Sequence, residues 1–598
     1  MPIRFAIKST LAHAIQVRTK LLRKKAFARG SEIGLIFCAA LIGVAAGVVV
    51  SAMSWLSKAL HSLIFGIPHN SWLSSSIIEE KLLLLCSPVL GGCLMGCLYL
   101  ALRNRRSRPI VDPIEANALY GGRISLTDSI IVAVQNLVSN GFGASVGLEA
   151  GYTQLSSGLA SKLGAKLNLR REDLRLLVGC GAAGAIAAAF NAPLTGAFYA
   201  FELIIGTYSS IALAPVVVAA ILATLVARTL SGDAFLIEIG DIGLIAPWHF
   251  LPAILLGAFC AMSGIVIMKG VAFTEKFARE SSIYPALRPA LGGIVVGLLA
   301  LVTPQVLSAG HGALHLNLEV QSSIGILAII LVLKAVASAV SIGSGFRGGL
   351  FFASLFMGAL IGKIFAFPVD FLLDDALAPT VLAVVGMSAL AVALIGGPLT
   401  MTFLALEITG DFPITALVLA AAITSSVVVR TTFGYSFATW RFHLRGESIR
   451  SAHDIGWIRN LTVDKLMRSD VKKANVNLSL EEFRHQFPLG STQRAILVDD
   501  DDRYLGIIFV PEVYAEESDN TQDGGIGRFI RLRNDTLQPQ MNARQAAAIF
   551  DKTRSEALAV VNNLIERRVV GQLSEAHTLR RYSEELDRRR REAVGETL

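Results

Sequence analysis

The stretch that decides the fold occurs twice, as PLTGAFYAFE at residues 193–202 and as PLTMTFLALE at residues 398–407. Pro, Leu, Thr, Phe, Ala and Glu coincide in order, at a constant offset of 205 residues. Upstream of these, GFGASVGLEAG at 141–151 aligns with GSGFRGGLFFA at 343–353, at an offset of 202 residues. Small residues that merely allow close helix packing explain scattered matches, but they explain an ordered six-of-ten match poorly. We therefore predict two halves, each with a glycine-rich turn followed by a Pro-led helix that ends near a glutamate.

The composition places both halves in a lipid bilayer. Hydrophobic residues make up 53% of the 598 residues and charged residues only 17%, against about 25% charged in soluble proteins. Apolar runs dominate from residue 31 to about 450, and the composition after that is ordinary. A spanning helix needs roughly 20 apolar residues, and the stretches that satisfy this are 31–63, 81–102, 210–230, 247–272, 285–303 and 324–342. Shorter pieces interrupted by Gly or Pro, as in transporters with broken helices, are 127–138, 142–160, 176–190, 193–206, 349–365, 378–396 and 398–408.

The C-terminal tail also carries a duplicated pattern. Its first unit opens with LTVDKLM at 461–467 and continues through AILVDDDDRYLGIIFVPEV at 495–513, and the second unit runs from 541 to 576. Each unit has a helix-like stretch, an apolar strand, a polar turn, and a second strand entered at Gly506 or Gly571. We predict a soluble α/β tail made of two βαββα-like modules.

The two glycine-rich turns are predicted to bind an anion. A helix N-terminus carries unpaired N–H groups and a partial positive charge, and glycine lets the backbone approach a ligand closely. If the helix starts after 143–150 and 345–352 converge, they attract an anion without a full positive charge, which suits conduction because a buried Lys or Arg would release the anion slowly. Glu149 lies within the first turn, where a charged carboxylate would occupy the place of the anion and a protonated one would leave it. The alternative is a helix-capping glutamate with no wider role; the equivalent residue in the second half, Phe351, cannot compete as an anion.

These motifs resemble those of the CLC family of chloride channels and proton/chloride exchangers. GLEAG at 147–151 resembles the GxExP motif of the family, GGLFFA at 348–353 resembles its GxFxP motif, and the tail resembles paired CBS modules. The resemblance implies a homodimer with one pore per subunit, and a polytopic all-α membrane domain with two inverted repeats of broken helices, followed by a soluble α/β CBS pair. It implies Glu149 as the gate, with an anion site at Gly147, Leu148, Glu149, the backbone amides of Leu350 and Phe351, and the hydroxyl of Tyr435. The alternative for Tyr435 is an interfacial anchor.

Two departures from the family pattern concern the anion site. Residues 109–113 read PIVDP where the family has GSGIP, so Ile110 stands where a serine usually contacts the anion, unless a gapped alignment uses Ser107. The change puts the choice among chloride, nitrate and fluoride in doubt. Gly151 and Ala353 stand where the family often has proline, and this should loosen the two helix starts.

A third departure concerns the transport mechanism. Family exchangers usually carry a second, inward-facing glutamate that relays protons, directly after the glutamate that ends the first Pro-led helix. Here Glu202 is followed by Leu203, which cannot carry a proton, and family channels also have an apolar residue at that position. The resemblance gives Glu202 a mostly structural role. We expect a passive, glutamate-gated chloride channel; the alternative is a proton-coupled chloride antiporter, since some exchangers lack the inner glutamate.

The predicted organisation is a cytosolic N-terminal segment at 1–30, a transmembrane domain at 31–450, a linker and first CBS module at 451–524, and a second CBS module with the C-terminal tail at 525–598. Eight Lys and Arg residues precede the first apolar run. Because such clusters stay in the cytoplasm, we expect both termini there and the chain in the plasma (inner) membrane. The net charge of +8 is no argument for nucleic acid, since much of the excess lies where membrane topology predicts it.

Metal binding and enzyme activity find little support in the sequence. The six cysteines lie in apolar segments without a His or acid cluster, so no metal site is predicted. The sequence contains no HExxH and no clustered His, Asp and Cys residues, and no enzyme is expected. CBS modules often bind adenine nucleotides, for which Glu512 and His577 are the nearest candidates, although neither is the usual aspartate; a dimerisation role is the alternative. A membrane-anchored sensor that reads a ligand with the CBS pair is the competing function, but it leaves Glu149 and the glycine turns unexplained.

Overall fold

The computed structural model describes residues 32–69, 71–103, 110–232, 245–372, 377–436, 439–440, 461–515 and 525–594. The chain divides into two compact units, with the boundary between residues 453 and 454. The predicted N-terminal segment 1–30, the candidate Ser107 and the start of the linker at 451–460 lie outside the described residues.

The described residues of the first unit are mainly helical, and eight of the helices are long and apolar enough to cross a membrane. Four shorter apolar helices accompany them, as the broken pattern in the sequence predicts. The helices of the first half are α1 Glu32–Phe65, α2 Lys81–Arg103, α3 Pro113–Leu119, α4 Leu126–Gly141, α5 Glu149–Leu167, α6 Arg171–Phe190, α7 Pro193–Tyr199 and α8 Ser210–Ser231. Those of the second half are α9 Phe250–Glu280, α10 Arg288–Val302, α11 His311–Glu319, α12 Ile324–Ser344, α13 Phe351–Leu372, α14 Pro379–Ile395, α15 Pro398–Thr409 and α16 Phe412–Thr432.

Burial separates the inner helices from the lipid-facing ones. Most of α6 and α13 is buried, whereas about half of α1, α8 and α9 is exposed. The exposed positions of these outer helices carry large apolar side chains such as Phe37, Val266 and Phe273. In a soluble protein such surfaces would be unusually large apolar patches, so the outer helices present the surface that contacts acyl chains.

The N-termini of the helices in this unit are capped in two different ways. The starts of α3, α4 and α16 are capped by the preceding residue, because the side chains of Asp112, Ser125 and Asp411 accept a hydrogen bond from a backbone N–H in the first turn. The Pro-led helices α7 and α15 have no such local side-chain cap. Proline suits the first helical position, since its missing N–H would have no intrahelical acceptor there, but the following N–H groups still need partners.

Those partners come from the opposite half of the chain. The Glu407 carboxylate at the end of α15 accepts hydrogen bonds from the backbone N–H groups of Leu194 and Thr195, both at 2.8 Å, and from the Thr195 hydroxyl at 2.7 Å. The Glu202 carboxylate, in a π-helical turn at Ala200–Ile205 that continues α7, accepts from Leu399 N–H at 3.1 Å, Thr400 N–H at 2.9 Å and the Thr400 hydroxyl at 2.6 Å. Each repeated glutamate therefore caps the Pro-led helix of the other repeat.

The second unit contains two small sheets. In the first, strand β1 (Lys473–Asn475) pairs parallel with β2 (Arg494–Val498), which pairs antiparallel with β3 (Tyr504–Phe509). In the second, β4 (Ala557–Val561) pairs antiparallel with β5 (Val569–Ser574). The strands β2, β3, β4 and β5 match the predicted alternation of apolar strands and polar turns. The helices are α17 Val463–Leu466, α18 Leu480–Gln486, α19 Val510–Ala515, α20 Ala543–Thr553 and α21 Glu575–Val594.

One segment of the second unit lies in a different place from that expected. We expected residues 461–467 to open the first module, but Val463 and Leu466 pack in the core of the second module, together with Phe550 and Leu573. The backbone follows the same path, since Arg468 and Gln572 exchange N–H to carbonyl hydrogen bonds of 2.9 and 3.0 Å. The apolar face of this short helix is buried by the later module. The segment that precedes the first module in the sequence is therefore part of the second module in the structure.

Candidate functional site

The two glycine-rich turns meet. Gly147 and Gly349, one from each repeat, form an isolated antiparallel bridge: the Gly147 N–H donates to the Gly349 carbonyl at 2.9 Å, and the Gly349 N–H donates back at 3.3 Å. A Cβ on Gly147 would lie 1.9 Å from Oε2 of Glu149, and a Cβ on Gly348 would lie 2.4 Å from the side chain of Val146. Position 348 therefore needs glycine because the two turns lie against each other, whereas a methyl group at 147 would displace the Glu149 carboxylate.

Asn136 of α4 holds the two turns in register. Its side-chain NH2 donates to the carbonyls of Gly147 at 2.9 Å and Arg347 at 3.1 Å, and its oxygen accepts from the Gly151 N–H at 2.8 Å. The last bond would be impossible with proline at 151. The glycine there was expected to loosen the start of α5, but its N–H gives this start an additional anchor. Asn136 was not singled out from the sequence, although a fully buried amide on a membrane helix is a recognisable signal.

Glu149 lies at the point where α5 and α13 begin. It is the first residue of α5, while Phe351 is the first residue of α13, so the unpaired N–H groups of two helix starts surround it. The backbone N–H groups of Glu149 itself and of Phe352 lie close enough to interact with the carboxylate. The side chain is only 5% exposed, and its Oε2 has no hydrogen-bond partner among the described residues. A carboxylate thus occupies a site whose surroundings suit an anion, with one oxygen left unsatisfied.

Two cavities reach this carboxylate. The first, of about 370 Å³, contains Glu149 and a group of basic side chains, and we call it the basic cavity. The second, of about 220 Å³, contains Glu149, Leu350, Phe351 and Tyr199, and we call it the Tyr199 cavity. Glu149 is the one described residue that lines both. The basic side chains of the first cavity are Lys58, His61, Arg228, His311 and His315.

Aromatic rings pack around Glu149 between the two cavities. Phe190 at the end of α6 packs on Phe351, with ring centroids 4.8 Å apart, and stacks on Phe352 at 6.1 Å. Phe352 in turn stacks on His311 at 3.6 Å. Phe190 and Phe352 line the basic cavity, while Phe351 lines the Tyr199 cavity. The boundary between the cavities is therefore apolar except for the Glu149 carboxylate.

A fully buried lysine lies behind the site. Lys334 of α12 has no exposed surface, and its ammonium donates to the carbonyls of Ser308 at 2.8 Å and Val306 at 3.1 Å. It attracts the Glu149 carboxylate electrostatically but lines neither cavity. A charge placed in this way favours an anion at the site without binding it directly. Lys334 was not predicted from the sequence, although a lysine within an apolar 21-residue helix is a recognisable signal.

The structure brings most of the sequence-predicted anion residues together. Leu350, Phe351 and Ile110 line the Tyr199 cavity, Leu148 lines the basic cavity, and Gly147 lies beside them in the bridge to Gly349. Tyr435 is placed elsewhere: its ring packs on Phe433 and Trp440, and it is not among the lining residues of either cavity. Leu203 packs against the hydrophobic core of the membrane unit. These positions leave the roles of the residues as predictions.

The nucleotide candidates lie on the surface of the second unit. Glu512 on α19 forms an ion pair of 3.5 Å with Arg531, and both side chains are more than a third exposed. His577 is exposed on α21. Among the described residues of the whole chain, no group of three or more His, Cys, Asp or Glu side chains could hold a metal ion. Nucleotide binding stays a prediction.

Comparison with known proteins agrees with this architecture. A family model described as voltage gated chloride channel matches residues 91–430. A ClcB-like chloride channel protein of Ralstonia nicotianae is 32% identical over 351 residues, 58% of this chain and 82% of that protein. The structure of a slow cyanobacterial Cl−/H+ antiporter is 20% identical in sequence and superposes with a TM-score of 0.59. The superposition covers 69% of this chain and 97% of the antiporter chain. The structure of a eukaryotic CLC transporter, 16% identical, has a TM-score of 0.59 and covers 91% of this chain and 97% of its own, so the shared fold extends into the second unit.

Proposed function

The chain belongs to the family of voltage-gated chloride channels, the CLC family, and on that premise we propose that Glu149 gates chloride transport through the membrane unit. Chloride transport is the function of the family. The observation that carries the proposal is that Glu149 alone, among the described residues, lines both the basic cavity and the Tyr199 cavity. An anion that passes from one cavity to the other must pass this carboxylate or take its place.

The gate follows from competition for one site. The N–H groups at the starts of α5 and α13 attract negative charge, and the Glu149 carboxylate satisfies them when no anion is bound. Two negative charges cannot share this site at low cost, because their repulsion in a poorly hydrated interior is strong. Chloride therefore enters when the side chain rotates away or is protonated. Removal of the negative charge should open the path.

The electrostatics also suit release of the anion. The cationic groups near the path lie at the cavity walls, with Arg347 in the Tyr199 cavity and the others in the basic cavity, or, as with Lys334, are held by carbonyl oxygens outside the lining. The anion is then held mainly by backbone N–H dipoles at 350–351. Binding by dipoles is weak enough to permit fast exit, which conduction requires.

The decisive experiment is chloride efflux from liposomes that contain the purified protein. Glu149→Gln keeps the size of the side chain and removes its charge, so we expect higher chloride flux at neutral pH and little remaining pH dependence. Glu319→Gln is the matched control, because it makes the same change at an exposed position that lines neither cavity. Flux and pH dependence equal to those of the parent in a folded Glu149→Gln variant would exclude the gate.

We further propose that transport is passive. Leu203 follows Glu202 directly and packs in an apolar environment, and both Glu202 carboxylate oxygens are engaged in capping α15. Neither side chain is then available to relay protons on that side of Glu149. A chloride gradient across the liposome membrane should move few protons uphill, as measured with a pH electrode. Proton pumping at a fixed chloride-to-proton ratio would instead make the protein an exchanger.

The remaining expectations are part of the same proposal. We propose a homodimer with one pore per subunit, in the plasma (inner) membrane, with both termini in the cytoplasm. The tail at 451–598 would then be a cytosolic CBS pair in which residues 461–467 pack with the second module. Binding of an adenine nucleotide near Glu512 or His577 would be detected by calorimetry on the full-length protein, and a heat equal to that of buffer alone would leave the pair with a dimerisation role.

A further inference from the structure

We propose that the Tyr199 hydroxyl is the side-chain hydrogen-bond donor to the anion in the Tyr199 cavity, and that it favours compact anions over polyatomic ones. This inference rests on chloride transport past Glu149 as proposed above. Tyr199 was not singled out from the sequence, and its hydroxyl has no role in the gate formed by Glu149.

Tyr199 is held firmly at the cavity wall. It is the last residue of α7, whose other end is capped by Glu407. Its ring centroid is 6.1 Å from that of Phe351, and only 9% of the residue is exposed. The same wall contains Leu350 and Phe351, whose backbone N–H groups open α13. A hydroxyl at this place can donate to an anion that those N–H groups bind.

The other uncharged polar side chains in the cavity are already committed. Asn136 donates to two backbone carbonyls, the Thr153 hydroxyl donates to the Glu149 carbonyl at 2.9 Å, and the Gln154 amide donates to the Val111 carbonyl at 3.0 Å. Within the described residues the Tyr199 hydroxyl makes no hydrogen bond. It is also not one of the fully enclosed polar atoms that lack a partner, so it is open to the cavity. A phenol that is nine-tenths buried and keeps a free O–H is a donor without an acceptor until an anion arrives.

The charged groups of the cavity do not replace it. Asp112 is itself an anion, and its carboxylate accepts the Glu115 N–H as the cap of α3. Arg347 carries a permanent charge, which would attract compact and polyatomic anions alike. Neither residue offers a neutral, directional donor.

The donors expected from the family pattern are not in the wall. Ile110 lines the cavity at the serine position and has no hydrogen to donate. Tyr435 packs between Phe433 and Trp440 and is not a lining residue. The sequence repeat places Leu404 opposite Tyr199, so the hydroxyl is present in one half alone. We infer that Tyr199 supplies the contact that these positions do not.

One donor distinguishes anions by how their charge is distributed. Chloride carries its charge on a single atom, whereas nitrate spreads it over three oxygens, so a single O–H directed at the site stabilises chloride more. The loss of one hydrogen bond to a charged partner weakens binding by about ten- to hundredfold. The loss should be smaller for nitrate, and the preference for chloride should narrow.

The test uses the full-length protein in detergent, with chloride and then nitrate titrated in a calorimeter. Tyr199→Phe removes one oxygen and keeps the ring against Phe351. We expect chloride binding to weaken at least about tenfold, with a smaller change for nitrate. Tyr99→Phe removes the same atom from an exposed tyrosine on α2 that lines neither cavity, and it should leave both affinities within about twofold of the parent.

Each outcome decides the inference. Chloride affinity of Tyr199→Phe equal to that of the parent, or an equal loss for both anions, overturns it. A second variant, Tyr199→Leu, takes the residue found at the equivalent position 404 and must show the same narrowed preference. If the parent transports chloride and Glu149→Gln opens it while Tyr199→Phe binds normally, the gate stands and the Tyr199 donor fails. If the parent neither binds nor transports chloride, both proposals fail.

Discussion

Replacement of either capping glutamate by glutamine should destabilise the membrane unit, and to a similar degree. In Glu407→Gln, the amide oxygen can take over the bonds from the Thr195 N–H and hydroxyl, which now join neutral partners. The amide NH2 must then face the Leu194 N–H, so that one of the three bonds is lost. The same argument applies to Glu202→Gln, which faces Leu399 and Thr400.

The magnitude follows from these contacts. A hydrogen bond to a charged group contributes about 1.5–3 kcal/mol and a neutral one about 0.5–1.5 kcal/mol, and a carboxylate at a helix N-terminus adds about 0.3–1 kcal/mol. Both glutamates are half-buried, so water replaces part of the loss. We expect the free energy of unfolding to fall by about 2–4 kcal/mol in each glutamine variant, and further in Glu407→Ala, which keeps none of the three bonds.

The assay is reversible unfolding in mixed micelles, in which the denaturing detergent fraction is raised and helicity is followed by circular dichroism. Glu319→Gln, which changes an exposed acid on α11, is the control. Glutamine variants within about 0.5 kcal/mol of this control would refute the capping argument, because surface substitutions vary by that amount. A large loss at one position and none at the other would refute the reciprocal arrangement.

Three further outcomes are expected. Gly147→Ala would place a methyl 1.9 Å from the Glu149 carboxylate, so efflux should lose its dependence on Glu149, whereas Gly325→Ala, with nothing within 4 Å, should transport like the parent. Asn136→Leu removes three hydrogen bonds to the two turns, of whose partners the Gly147 carbonyl keeps the Gly349 N–H, and should cost about 3 kcal/mol in the same micelle assay; an unchanged midpoint would mean that the turns hold each other unaided. Val463→Ala removes two methyl groups from the core of the second module and should lower the stability of the second unit by about 2 kcal/mol in urea, while an unaffected transition would mean that Val463 is not packed in that core.

The repeat predicted the membrane fold well because each of its motifs is a short stretch that specifies its own local structure. Six matched residues in the Pro-led helices fixed the order of elements in both halves, and the glycine turns fixed where α5 and α13 begin. The role of the matched glutamates as helix caps could not be predicted from the motifs. Glu202 and Glu407 each bond to a helix about 200 residues away, and no pattern within either ten-residue stretch indicates which helix it caps.

The candidate site was predicted in part for the same reason. Residues 147–149 and 350–351 belong to motifs, so their convergence could be expected from the repeat. Asn136 and Lys334 act from helices outside the motifs, where each is a single polar residue whose partners are backbone carbonyls. Tyr199 lies inside a motif and was still not predicted, because the prediction rested on the residues that the two halves share. The comparison with Leu404 shows that the informative position was one where the halves differ.

The exchange of caps between the two repeats also bears on how the protein is made. Glu407 follows Leu194 by 213 residues, and synthesis proceeds at about 5–20 residues per second, so the start of α7 exists for roughly 10–40 s before its partner has left the ribosome. During that time its N–H groups lie in or near the bilayer without acceptors, and they must be sheltered by lipid headgroups, water or the insertion machinery. A nascent chain that stops before residue 407 can insert its first helices, but it leaves α7 uncapped, and quality-control proteases should remove such a fragment faster than the completed chain.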